Sequence, residues 1–235
     1  VGVLVLAPVA AVTWRVDADA WPFIVATGLL ELAYFALLAR AYRREEVSVV
    51  YPLARGTAPV LVLVVGAAAL GHGTSPAEAA GVCLVTAGIL LVRGIRTRAR
   101  TSAIAFGLAI GTTIAAYTLV DSEGIEHANA LAYLLLRGLI SAGVYVPAVI
   151  ALKGPAAVWG ELRAATVVAG VGMVAAYALV LAALQRADAA PVAAVRETSV
   201  VIAAILAALF LKEHVTRGRL AGAALVAGGV ALLAA

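Results

Sequence analysis

Five ionisable residues stand inside apolar sequence, where charge is expensive: Glu31, Arg55, Arg137, Arg196 and Glu197. A charge at mid-membrane depth needs a counter-charge, a water-lined cavity or a route to the headgroups, so each is a candidate functional group. Together they hold three cations and two carboxylates, one positive charge in excess. Such a set suits an anionic or zwitterionic solute. Arg196 and Glu197 are adjacent, so on a helix they point about 100° apart and cannot both face lipid. Glu197 can pair with an arginine of the other half, bind an ammonium or proton, or lock the helices as a structural ion pair.

Arg55 lies about 12 Å into its segment. Pro52, Gly56 and Pro59 surround it, and the missing proline donors predict a kink with carbonyls freed beside a cation. Broken helices in transporters offer a substrate that combination. The alternative is an arginine that snorkels to the headgroups. Glu31 and Arg137 lie at matched depths of about 13 Å, which predicts a buried ion pair acting either as a helix lock or as a gate for coupling. Asp121 is expected to be solvated at the outer end of its helix. Tyr34, Tyr117, Tyr133 and Tyr177 offer hydroxyls and aromatic faces in apolar segments.

The elements that must position these groups follow from composition. Hydrophobic residues make up 64% of the 235 and charged residues only 13%, about half the charged share of a soluble domain. Mean hydropathy is +1.07. Nine apolar segments follow one another, near 1–14, 21–42, 47–70, 76–93, 102–120, 129–151, 164–185, 189–211 and 217–234. Runs such as Val60 to Val65 and Ala203 to Ala208 are apolar on every face, which excludes the alternation of a spanning β-strand. Ser75-Pro76-Ala77-Glu78 reads as a capping box, with Asp188 before Pro191, and Ser48 before Tyr51-Pro52, as weaker start signals. The expected fold is an all-α, polytopic membrane helix bundle.

The chain also repeats itself. Arg55-Gly56-Thr57 and Arg196-Glu197-Thr198 stand 141 positions apart, and at that offset Val60 meets Val201, Leu70 meets Leu211, Ser75 meets Thr216, Gly81 meets Gly222 and Gly88 meets Gly229. Ala33-Tyr34 answers Ala176-Tyr177, and Arg43 answers Arg186, at an offset of 143. The halves are expected at 1–100 and 101–235, with four and five helices. The first segment is too short to span, so one helix and part of another are expected to be missing upstream. An odd number of helices separates the copies, which makes the repeats inverted.

Loop charges give the orientation. Arg40, Arg43, Arg44, Arg93, Arg96, Arg98, Arg100, Lys153, Arg163, Lys212, Arg217 and Arg219 fall on one side, while the other has only Arg15 and Arg186 beside Asp17, Asp19, Asp121, Glu123 and Glu126. By the positive-inside rule the first side is cytoplasmic and the carboxyl terminus lies outside. The basic balance of +4 is thereby explained by topology, and no nucleic-acid partner is expected.

At Tyr51-Pro52-Leu53-Ala54-Arg55-Gly56 and Arg196-Glu197-Thr198-Ser199 the chain resembles the EamA-type branch of the drug/metabolite transporter superfamily. Thr113 to Asp121 and the closing pattern Leu211-Lys212-Glu213 … Gly228-Gly229 add to the resemblance. It implies ten helices in two five-helix inverted halves around a central cavity, in a bacterial-type inner membrane. Relatives keep both termini in the cytoplasm, whereas the loop charges here point the other way. On this basis Tyr34, Tyr51, Arg55, Thr57, Tyr117, Tyr177, Arg196, Glu197 and Thr198 are the candidate substrate-binding residues, with Glu31 and Arg137 as the coupling or ion-pair candidates.

No catalytic residue, cofactor or metal site is expected. Cys83 has no partner, His72, His127 and His214 lack metal-ligand spacing, and there is no HExxH, GxSxG or P-loop. A scaffold would not need five buried charges. The reading is a secondary exporter or exchanger of small metabolites such as amino acids or organic anions, with the bilayer and the solute as partners. A lipid-linked sugar flippase or cationic-drug pump of the same superfamily is the alternative. Gly107-xxx-Gly111 and Gly218-xxx-Gly222 are expected to be close-packing seams, either within the monomer or in a homodimer.

Overall fold

The computed structural model describes residues 2–69, 71, 73–93, 100–210 and 216–233, and these are overwhelmingly helical. In chain order the helices are α1 (Gly2–Val12), α2 (Trp21–Arg44), α3 (Val47–Ala69), α4 (Pro76–Arg93), α5 (Thr101–Gly124), α6 (Ala130–Lys153), α7 (Pro155–Trp159), α8 (Ala164–Leu184), α9 (Ala189–Arg196), α10 (Thr198–Phe210) and α11 (Arg217–Leu233). Among the described residues the only β pairing is an isolated bridge between Val16 and Ala128. Five of the helices, in α2, α3, α5, α6 and α8, are long and apolar enough to cross a bilayer. On α8, Val168, Met173 and Leu179 are 71%, 65% and 73% exposed, an apolar outer face that suits a lipid environment. Leu70, His72, Arg96, Arg98 and the Leu211-Lys212-Glu213-His214 stretch lie outside the described residues.

The capping box at α4 forms as its spelling requires: Ser75 N donates to Glu78 Oε2 at 2.8 Å, and Glu78 N donates to Ser75 Oγ at 3.1 Å. Asn129 caps α6 by accepting from Leu131 N at 3.0 Å. Asp188 holds the N-cap of α9 with extended backbone and no side-chain bond. Three boundaries differ from the sequence reading. The 189–211 segment is interrupted at Glu197 and forms α9 and α10. α5 continues four residues beyond 120. The 153–163 connection contains the short helix α7, opened by Pro155 at its first turn. α3 carries Pro52 and Pro59 with no interruption of its helical span.

The residues divide into two compact units, 1–33 with 120–186, and 34–119 with 187–235. In the first, α1 packs on α6 and α8. Close approaches there are made at Gly28, where a Cβ would lie 2.8 Å from Ile140 Cγ2, and at Gly124, where one would lie 2.6 Å from Phe23 Cβ. In the second unit, α3 packs on α4 and α9, and α4 packs on α11. Gly107 and Gly111 seat α5 against α3, their added Cβ atoms falling 2.6 Å from Leu53 Cβ and 2.9 Å from Ala54 O. Gly218 makes no such approach, its nearest neighbour being 3.9 Å away. Within the single chain the Gly218–Gly222 seam is therefore narrowed to Gly222, whose helical partner is Gly88.

The α4–α11 seam has an internal symmetry. A Cβ at Gly88 would meet Gly222 O at 2.6 Å, and one at Gly229 would meet Gly81 O at 2.7 Å. The duplication aligns Gly81 with Gly222 and Gly88 with Gly229, so exchanging the helices maps each contact onto the other. Rising numbers on α4 meet falling numbers on α11, so the pair is antiparallel and its two-fold axis is perpendicular to both. Inverted duplication requires this local geometry. Gly88→Ala should force backbones apart and cost about 1–3 kcal/mol, whereas Gly143→Ala, with no atom within 4 Å, should be neutral. Thermal unfolding in detergent compares the two.

Candidate transport site

The charged residues gather into two clusters, one in each unit. In the 34–119/187–235 unit, Arg55 on α3 and Arg196 at the end of α9 converge on Glu197. Arg55 Nη1 donates to Glu197 Oε1 at 3.1 Å and to Oε2 at 3.5 Å, and Arg196 Nε donates to Oε1 at 3.4 Å. Glu197 is fully buried, while the Arg55 and Arg196 side chains are 25% and 12% exposed. The Arg55 guanidinium carbon stands 5.4 Å from the centroid of the Tyr51 ring, within cation–π range.

Local backbone chemistry puts the carboxylate there. Glu197 sits in the break between α9 and α10, with its own N–H bonded to Ala194 O and its carbonyl accepting from Val200 N, both at three-residue spacing. Thr198 donates to Val195 O at 2.8 Å across the same break. On α3 the absent Pro59 N–H deprives the Arg55 carbonyl of its usual donor, so cation and bared carbonyl occur at one residue. Thr57 donates to Leu53 O within α3 and Thr198 to Val195 O across the α9–α10 break, which commits both hydroxyl hydrogens to nearby backbone carbonyls. Tyr34 packs edge-on against Tyr117 with ring centroids 6.2 Å apart. The cavity lined by Leu63, Thr74, Glu78, Asp188 and Pro191 includes neither arginine.

The 1–33/120–186 unit contains the second cluster. Arg137 on α6 donates from Nη2 to Glu31 Oε1 at 2.9 Å and from Nη1 to Asp121 Oδ2 at 3.0 Å. Asp121 also accepts from Tyr177 Oη at 2.5 Å and from Thr27 Oγ1 at 2.8 Å. Ser141 Oγ lies 2.6 Å from Glu31 Oε2, and the Tyr133 hydroxyl lies 3.2 Å from Thr27 Oγ1. The Arg137 guanidinium lies 4.0 Å from the Tyr177 ring centroid. Asp121 is completely buried, which corrects its expected solvation: α5 continues past it to Gly124 and turns it inward. The repeat-equivalent tyrosines are thus divided, Tyr34 beside Tyr117 and Tyr177 on Asp121.

Asp121, Thr27, Tyr133 and Ser141 were not among the candidate site residues, although the sequence carried a signal. Thr27 and Glu31 are four apart, as are Tyr117 and Asp121, Tyr133 and Arg137, and Arg137 and Ser141. Residues so spaced share one helix face. Three apolar helices with a polar stripe at that interval point to a common polar centre.

The model of the EamA-like transporter family matches residues 1–94 and again 101–235. The chain belongs to that family. It is therefore a multi-pass membrane transporter of the drug/metabolite transporter superfamily, and the two matches are successive along its length. Among curated proteins none matches. A protein of known crystal structure superposes on the transporter with a TM-score of 0.77, covering 98% of this chain and 82% of that one at 16% identity, a likeness of fold alone.

Proposed function

We propose that the chain is a secondary exporter or exchanger of small anionic or zwitterionic metabolites, amino acids or organic acids, and that Arg55, Glu197 and Arg196 bind the solute's charged end. The carrying observation is that two arginines share the single buried carboxylate of Glu197. The cluster keeps one positive charge in excess, which a solute carboxylate would neutralise by a bidentate, charge-assisted bond. The Tyr51 ring beside Arg55 offers an apolar face to the rest of the solute. A cationic drug would meet that excess charge unfavourably, so the observations favour the anion reading. The setting we propose is a bacterial-type inner membrane with the carboxyl terminus outside.

The test is uptake into proteoliposomes of a panel of labelled amino acids and organic acids, with organic cations as controls. Arg55→Leu should remove roughly 2–5 kcal/mol of solute binding, an affinity loss of about 30-fold or more, while membrane insertion is retained. Arg196 still faces Glu197 in that variant, which preserves the fold. Full uptake by Arg55→Leu, or uptake confined to cations, would overturn the reading.

A further inference from the structure

The Glu31–Asp121–Arg137 cluster holds two carboxylates against one guanidinium, and solute binding at Arg55 makes no use of that excess. The two carboxylates differ in their surroundings. Asp121 is fully buried and receives three donors, from Arg137, Tyr177 and Thr27, which occupy its acceptor sites. Glu31 is 18% exposed and receives Arg137 on one oxygen, with the Ser141 hydroxyl on the other. That hydroxyl has one hydrogen and two acceptors within reach, Glu31 Oε2 at 2.6 Å and the Arg137 carbonyl one helical turn back at 2.9 Å.

We propose that this cluster is a proton-binding site and that Glu31 is the residue that takes up and releases the proton. In the empty form Ser141 donates to Glu31 Oε2. On loading, a hydronium from the aqueous side gives its proton to Oε2 and leaves as water. The new O–H donates to Ser141 Oγ, and the serine hydrogen turns to the Arg137 carbonyl. No buried polar group loses its bond in either form, and the cluster passes from one net negative charge to neutrality. The titratable and charged groups facing the site are Arg137 and Tyr133 from α6, Asp121 from α5 and Tyr177 from α8, while α1 brings none. A metal cation is the poorer occupant, because hydroxyl and guanidinium donors already point at the carboxylate oxygens it would need.

The transporter character of the family gives such a site its use, but the test reads protons alone and is independent of the solute. Full-length protein in lipid nanodiscs is titrated with acid while infrared difference spectra record the carboxylic C=O stretch. Subtracting Glu31→Gln from the unaltered protein should leave one carboxylic band that grows as pH falls. Ser141→Ala should displace that band in frequency, since the acceptor of the new O–H is gone, and should do so whether or not Glu31→Gln proves stable enough to measure. No difference band, a band that survives Glu31→Gln and disappears in Asp121→Asn, or an unmoved band in Ser141→Ala would overturn the assignment.

Discussion

Glu197→Gln should be the most damaging single substitution in the 34–119/187–235 unit, lowering stability by about 3–5 kcal/mol. The carboxylate is fully buried and receives both Arg55 and Arg196. Glutamine keeps the volume and one acceptor oxygen, so packing changes little and the loss isolates charge. Two guanidinium groups would then share a low-dielectric region with no carboxylate between them, and their mutual repulsion adds to the lost attraction. Adding Arg196→Gln should recover part of the loss, because one of the two cations is removed while Arg55 keeps its place over Tyr51. The measurement is thermal unfolding in detergent for the single and double variants, with uptake recorded beside it. A Glu197→Gln protein that melts with the unaltered one would show that neither arginine depends on this carboxylate.

Most of the helical plan was legible because hydrophobic length and polar breaks are local properties. The boundaries of α3, α4, α6 and α8 follow from the lengths of apolar runs, and that of α4 also from its Ser75 cap. What composition cannot show is where a helix tightens without proline or glycine. Glu197 interrupts 189–211 although Ala, Val, Arg and Thr around it would all continue a helix, and the break is visible only in its backbone bonds at three-residue spacing. Asp121 was misplaced for a related reason. Counting polar residues from 121 onward suggests a loop, but Asp121, Ser122 and Glu123 extend α5 because Asp121 is satisfied inward by three donors. The spacing of four residues from Tyr117 puts Asp121 on that tyrosine's helix face, and this signal points inward although the apolar run has ended.

Arg137→Gln and Glu31→Gln should differ sharply, although the two residues form one ion pair at 2.9 Å. A simple pair would suffer about equally from the loss of either member, and removal of both would relieve the damage. The cluster has three charged members, so the expectation changes. Without Arg137, the carboxylates of Asp121 and Glu31 face one another with no cation, and the loss should be about 3–5 kcal/mol. Without the Glu31 charge, Arg137 and Asp121 remain a neutral pair at 3.0 Å, and the glutamine oxygen can still accept from Arg137 or Ser141, so the loss should stay within about 1 kcal/mol. The double variant should recover only part of the Arg137→Gln loss, because Asp121 stays charged and keeps its Tyr177 and Thr27 hydroxyls but no cation. Adding Asp121→Asn should recover most of the remainder. A mutant cycle scored by unfolding temperature in detergent separates these cases. Equal losses from the two single variants, relieved when both are combined, would mean that Asp121 is no part of the same electrostatic unit, and the three-member cluster would then reduce to an ordinary helix lock.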